Sequence, residues 1–212
     1  MIIISHRGYW QNVAEQNRPQ AFIRSFINGF GIETDIRDYN SELVISHDIP
    51  TKKNITVRAL FDIYTKYDTS LPLALNIKSD GLQDQLLSLI KEYNIDNYFL
   101  FDMSVPDGIQ YIKYNMKVFT RQSEYELSPT YYENAKGIWL DEFHDHWITE
   151  EILQKHINQK KIICIVSPEL HHRNYQKEWE DYKVIESKLD YNKIIICTDK
   201  PEELRDFLND QN

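Results

Sequence analysis

Residues 31–36 read Gly-Ile-Glu-Thr-Asp-Ile, and this stretch decides the fold. In an extended chain, alternate side chains point to opposite faces. Glu33 and Asp35 therefore share one face, while Ile32, Thr34 and Ile36 share the other. Short β-branched apolar runs of this kind recur at 1–5, 73–77, 98–101, 117–120, 137–140, 161–166 and 193–197. Segments with helical apolar spacing lie between most of them, at 19–27, 57–67, 82–93, 107–113, 149–158 and 201–208. Strands alternating with helices imply an α/β protein with a parallel sheet covered on both faces. Eight such strands predict a closed (β/α)8 TIM barrel, a single domain over residues 1–212. An open doubly wound sheet is the rival, but no glycine-rich phosphate fingerprint follows the first strand. Residues 42–46 read as an extra strand that forms a short hairpin with the second strand, reversing after Tyr39-Asn40.

Polar residues fall at the ends of these runs. The first ends in Ser5-His6-Arg7-Gly8, the hairpin strand in Ser46-His47-Asp48, the sixth run at Asp141 and the seventh at Ser167-Pro168-Glu169. Asn76 and Lys78 share a face, as do Trp139 and Asp141. Active residues of a (β/α)8 barrel sit at the carboxyl ends of its strands. Two adjacent carboxylates and a neutral oxygen donor converging there suit a hard divalent cation.

Composition narrows the partners. The chain has 212 residues, 24 Lys+Arg against 33 Asp+Glu and a net charge of −9, which argues against a nucleic-acid surface. With 42% hydrophobic and 13% aromatic residues it can fill a core rather than remain disordered. The opening MIII run is too short for a signal peptide, and no run spans a membrane. Cys164 and Cys197 form neither a CxxC pair nor a disulfide framework, so a cytoplasmic setting is expected.

HRGYW at 6–10, AEQNRPQAF at 14–22, GFGIETDIRD at 29–38 and LVISHD at 43–48 together resemble the glycerophosphodiester phosphodiesterase family of the PLC-like phosphodiesterase superfamily. IIICTDKPEEL at 194–204 is similar to that family's final strand and helix, so the resemblance covers essentially the whole chain. It implies a (β/α)8 barrel that hydrolyses small-molecule phosphodiesters of lipid metabolism with one divalent cation, Mg2+ or Ca2+. The family's catalytic histidines fall on His6 and His47, its metal-binding carboxylates on Glu33 and Asp35, and its phosphate-contacting arginine on Arg7. Asn17 matches the Asn of the Pro-Glu-Asn-Thr segment, and Gln16 stands where its Glu belongs. The common third-strand Glu-Ile-Lys is here Asn76-Ile77-Lys78, which marks a compact branch and removes one metal-binding charge. Asn76 keeps a carbonyl oxygen, and Asp141 or water would make up the shortfall. The connection after His47 also lacks the insertion that glycerophosphodiesterases often carry.

Phosphodiester hydrolysis needs charge neutralisation at the phosphoryl oxygens and proton transfer at the attacking and leaving oxygens. Arg7 and Lys78 would add fixed positive charge. Histidine, with an unperturbed pKa of about 6.5, suits the proton transfers, so His6 and His47 divide them as general acid and base. Trp10 is expected as a pocket wall, and Glu169 and His171 as substrate-facing residues beyond the seventh run. His144-Asp145-His146 resembles the His-x-His pair of amidohydrolase barrels, but there the pair ends the first strand, and here it reads as a polar loop. His156 reads as a solvated helix residue, residues 177–181 as a charged helix surface, and Trp147 and Trp179 as residues in or near loops. Asn76 motivates one alternative: a weakly active or silent barrel that binds a phosphorylated sugar or glycerol compound. A sphingomyelinase-like phospholipase would need a membrane-docking segment, and none is present.

Overall fold

The computed structural model describes residues 1–189 and 194–210; Lys193, the first residue of the run expected at 193–197, lies outside them. The chain divides into two compact units, one of residues 4–118 and one of residues 1–3 with 119 onward, so that β1 (Ile2–His6) contributes residues to each.

In the first unit, β2 (Gly31–Tyr39) is the organising strand. It runs parallel to β1, with His6 opposite Glu33, and parallel to β4 (Leu73–Ile77), with Asp35 opposite Asn76. Its last four residues pair antiparallel with β3 (Glu42–Ile45), the expected hairpin. Asn40 and Ser41 make the reversal at φ 49° and 64°, the left-handed pair that a two-residue hairpin turn demands. β5 (Tyr98–Phe101) adds in parallel to β4, Phe101 opposite Asn76. Gly31 opens β2 where the chain passes close to its neighbour: a Cβ there would lie 2.4 Å from the Pro72 carbonyl oxygen.

Helices α1 (Pro19–Ile27), α2 (Val57–Tyr64), α3 (Gln83–Glu92) and α4 (Val105–Lys113) alternate with these strands. α1 begins with Pro19, whose missing N–H costs nothing in a first turn. The Thr56 hydroxyl caps α2 by accepting from the Ala59 N–H at 3.1 Å. The Ser104 hydroxyl caps α4 likewise, so this helix starts two residues before the expected 107. Phe22, Phe26, Leu60, Phe61 and Tyr64 are buried between α1 and α2, with Phe26 and Tyr64 edge to face at 5.4 Å. Each such side chain contributes about 1.5–3 kcal/mol on burial.

The second unit holds β6 (Phe119–Gln122), β7 (Gly137–Leu140), β8 (Ile162–Val166) and β9 (Ile194–Thr198), parallel to one another in that order. β6 starts two residues later than the expected 117. Helices α5 (Glu150–Asn158), α6 (Gln176–Glu186) and α7 (Pro201–Asn209) complete it. Ile138, Leu140, Leu153, Ile163, Ile165, Tyr182 and Leu204 form its core.

Three expectations are corrected here. Trp179 does not lie in or near a loop: it is buried on α6, and its indole N–H donates to the Ser167 hydroxyl at 2.9 Å. Glu178, inside the charged run 177–181, is buried as well. His156 is not solvated but 4% exposed, on the α5 face that carries Leu153 and Ile157. Tyr132 Oη lies 2.7 Å from its Nδ1 and Gln122 Oε1 3.1 Å from its Nε2. Those partners suit a neutral ring, and burial, aided by the charges of Lys155 and Lys161, holds its pKa down at about 4.

Candidate active site at the strand ends

The carboxyl ends of β1, β2, β4 and β5 gather most of the residues singled out by sequence. His6 ends β1, and its Nε2 lies 3.9 Å from Glu33 Oε2. Arg7 and Gly8 follow with φ of 57° and 82° and turn the chain sharply. A Cβ at residue 8 would come within 2.9 Å of Ala21 Cβ, so glycine is what lets this turn pack on α1. The turn aims the Arg7 backbone N–H at Glu33 Oε2, 3.2 Å away, and leaves the Arg7 Nε 3.5 Å from Asp35 Oδ2. Arg7 Nη1 also donates to Gln16 Oε1 at 3.3 Å.

Asn17 fixes Asp35. Its Nδ2 donates to Asp35 Oδ2 at 2.8 Å, and its Oδ1 accepts from the Thr34 hydroxyl at 2.7 Å. Lys78 Nζ lies 3.6 Å from Asp35 Oδ1 and 3.8 Å from Asp102 Oδ2. Asn76 Nδ2 donates to the same Asp102 oxygen at 3.1 Å, while Asn76 Oδ1 is buried without a hydrogen-bond partner. Arg7, Asn17 and Asp102 all hold positive φ, a conformation that Asn and Asp adopt readily and that is unusual for Arg7.

Glu33 and Asp35 are each only 2% exposed. Burial first, and the neighbouring Asp35 charge second, hold the Glu33 carboxyl above the ordinary carboxylate range; the charges of His6, Arg7 and Lys78 oppose this. Two buried acids side by side, with an orphaned carboxamide oxygen on the adjacent strand, are chemically suited to a hard divalent cation. With Asn76 Oδ1 buried and unpartnered beside them, the residues present fit the divalent cation that the family resemblance implies.

His47 sits on the loop after β3, whose Ser46 N–H donates to the Asp35 carbonyl at 3.0 Å. Its side chain is 46% exposed, with Nδ1 2.9 Å from Asp48 Oδ1. A cleft of about 250 Å³ runs between Arg7, Gln16, Asn17, Ser46, His47 and Asp48. Larger hollows along α5 and between β3, α2 and α3 carry none of this chemistry. Trp10 is half-buried, and its indole donates to the His6 carbonyl at 3.2 Å, bracing the turn that carries His6.

Asp141, Glu169 and His171 belong to the second unit. Asp141 Oδ1 and His171 Nε2 pair with each other at 2.5 Å. Glu169 is engaged by the Ser167 and Thr198 hydroxyls and by the Asp199 N–H at 3.1 Å. Sequence reasoning missed Asp102. The signal was there, because Asp102 directly follows the apolar run 98–101 and is thus another acid at a strand end.

No family model and no curated protein sequence matches the chain. Solved structures do. A phosphodiesterase from Oleispira antarctica, in complex with the product sn-glycerol-3-phosphate, superposes with a TM-score of 0.69 at 12% identity over 99% of this chain and 97% of its own. A glycerophosphodiester phosphodiesterase from Agrobacterium tumefaciens gives 0.68 at 14% identity, covering 96% of this chain and 98% of its own. The glycerophosphodiester phosphodiesterase from Thermotoga maritima gives 0.64 at 17% identity, covering 97% of each chain. The fold is therefore the (β/α)8 barrel. Its similarity to these phosphodiesterases extends over nearly the full length of each. Among the described residues, no helix is long and apolar enough to cross a membrane.

Proposed function

We propose that the protein is a metal-dependent phosphodiester hydrolase of the glycerophosphodiester phosphodiesterase type, acting on a small soluble phosphodiester. The observation that carries this reading is the convergence of His6, Arg7, Glu33, Asp35, Asn76 and Lys78 at the ends of three adjacent strands. Glu33, Asp35 and Asn76 Oδ1 would hold one Mg2+ or Ca2+, and Asp102, beside Asn76, returns the negative charge that Asn in place of Glu removes. When bound, the cation polarises the phosphoryl group and neutralises its charge.

The chain's own residues do the rest. Arg7 and Lys78 supply fixed positive charge for the phosphoryl oxygens. Gln16 and Asn17 hold Arg7 and Asp35 in place. His6 and His47 move the protons: one takes the proton of the attacking oxygen, that of water directly or of a neighbouring substrate hydroxyl whose cyclic phosphate water then opens, and the other protonates the leaving oxygen. Trp10 walls the entrance beside the His6 turn. The product bound by the Oleispira antarctica enzyme favours substrates that release a phosphorylated glycerol or a compound like it.

A panel of phosphodiesters assayed with Mg2+, with Ca2+ and with chelator tests this reading. Turnover that chelator abolishes and metal restores supports it. Binding of sn-glycerol-3-phosphate with no turnover of any diester would instead favour a silent binding protein.

A further inference from the structure

A second cluster of ligating side chains lies wholly within the unit of residues 119 onward, and phosphodiester hydrolysis has no use for it. Glu142, buried just after β7, accepts from the Trp147 and Ile148 N–H groups at 2.6 Å with its Oε1. Both its oxygens lie 3.1 Å from His146 Nδ1, and Tyr182 Oη lies 3.5 Å from Oε2. Glu178, in the first turn of α6, is 5% exposed. Arg173 occupies its Oε1, but its Oε2 is buried with no hydrogen-bond partner and points to within 3.5 Å of His146 Nδ1. One ligating atom from each of Glu142, His146 and Glu178 falls within 4.8 Å of the others.

We propose that Glu142, Glu178 Oε2 and His146 Nδ1 form a binding site for a divalent cation of the Zn2+ class, distinct from the oxygen-rich site at Glu33 and Asp35. Three features carry the assignment. The first is spacing. Ligands about 2.0–2.1 Å from a tetrahedral Zn2+ lie about 3.3 Å from one another, and the separations from His146 Nδ1 here are 3.1 and 3.5 Å. The second is charge. Glu142 and Glu178 share one guanidinium, Arg173, while Asp181 adds a third carboxylate beside the His146 ring, and a divalent ion would offset that excess of negative charge. The third lies behind the ring, where His146 Nε2 faces Asp181 Oδ2 at 3.4 Å. Metal-bound histidines characteristically turn their second N–H toward such a carboxylate. Three protein ligands of mixed nitrogen and oxygen leave a fourth position for water. The ion would tie the loop after β7 to α6.

The test uses the full-length, metal-stripped protein carrying E33Q and D35N, so that the strand-end site is disabled. Zn2+ is titrated calorimetrically, and Co2+ is followed by its visible d–d absorption. The expected result is uptake of one equivalent, with a Co2+ spectrum of low coordination number. H146Q or E178Q should abolish it, and D181N should weaken it about 10- to 100-fold. Asp181 is half exposed, so D181N remains informative if the buried variants do not fold. Failure of the E33Q/D35N protein to take up Zn2+ overturns the proposal. Uptake indifferent to D181N, H146Q and E178Q overturns it equally. Neither result bears on hydrolysis at the other site.

Discussion

Asn76 and Asp102 are joined by a 3.1 Å hydrogen bond from Nδ2 to Oδ2, so a carboxylate on the loop after β5 stands beside the carboxamide of β4. Asp102 is thereby placed to do part of what a glutamate at 76 would do. D102N is expected to raise the Mg2+ concentration needed for half-maximal activity by tenfold or more, since partners of metal ligands contribute about 10- to 100-fold. Combining it with N76E should recover most of the loss. Metal titrations of activity for the two variants check this, and an unchanged metal requirement in D102N would remove Asp102 from the site.

Glu33 sets function against stability. Its carboxyl is raised by burial and by Asp35, so in the metal-free protein its ionisation opposes folding. E33Q should therefore unfold at a higher temperature than the parent in chelator, by a few degrees if the gain is about 1 kcal/mol. The same variant should lose its hydrolytic activity. Thermal unfolding and an assay on one preparation test the two halves together; a lower melting temperature would contradict the electrostatic account.

His156 makes stability depend on acid. Its pKa is about 4 in the fold, chiefly through burial, against about 6.5 in the unfolded chain. The unfolded state binds the proton first, so the contribution is intact above about pH 6.5 and is lost as pH falls toward 4. Discounted from the full shift for screening by the surroundings, the loss is about 2 kcal/mol. H156Q should flatten the stability profile between pH 7 and 4 relative to the parent, as read by urea unfolding. Parallel profiles would show that the ring does not titrate in the fold.

Trp179 is a structural anchor. W179A is expected to cost about 3–5 kcal/mol, because it empties a fully buried volume and leaves the Ser167 hydroxyl without its indole donor. W179F should cost less. Chemical denaturation of the two variants ranks them.

Much of the strand-end site was legible because period-two alternation is a local property: Glu33 and Asp35 fall on one face whatever surrounds them. The hairpin was legible for the same reason, since Asn40-Ser41 tolerates the left-handed turn. What escaped depends on partners far along the chain. His156 sits between Lys155 and Ile157, and only its shared face with Leu153 and Ile157 betrays burial. α6 carries Trp179, Tyr182 and Ile185 at intervals of three among charges, a stripe too narrow to outweigh the polarity around it. Glu178 looked solvated for that reason, although Arg173 and Glu142 enclose it.

The central claim is that His6 and His47 carry the protons of phosphodiester hydrolysis. The direct measurement is kcat of H6A and H47A on a turned-over phosphodiester at saturating Mg2+ or Ca2+, with folding verified by thermal unfolding. Each substitution is expected to lower kcat by about 10²- to 10⁴-fold, the usual contribution of a general acid or base. A loss of less than about tenfold in each would contradict the account.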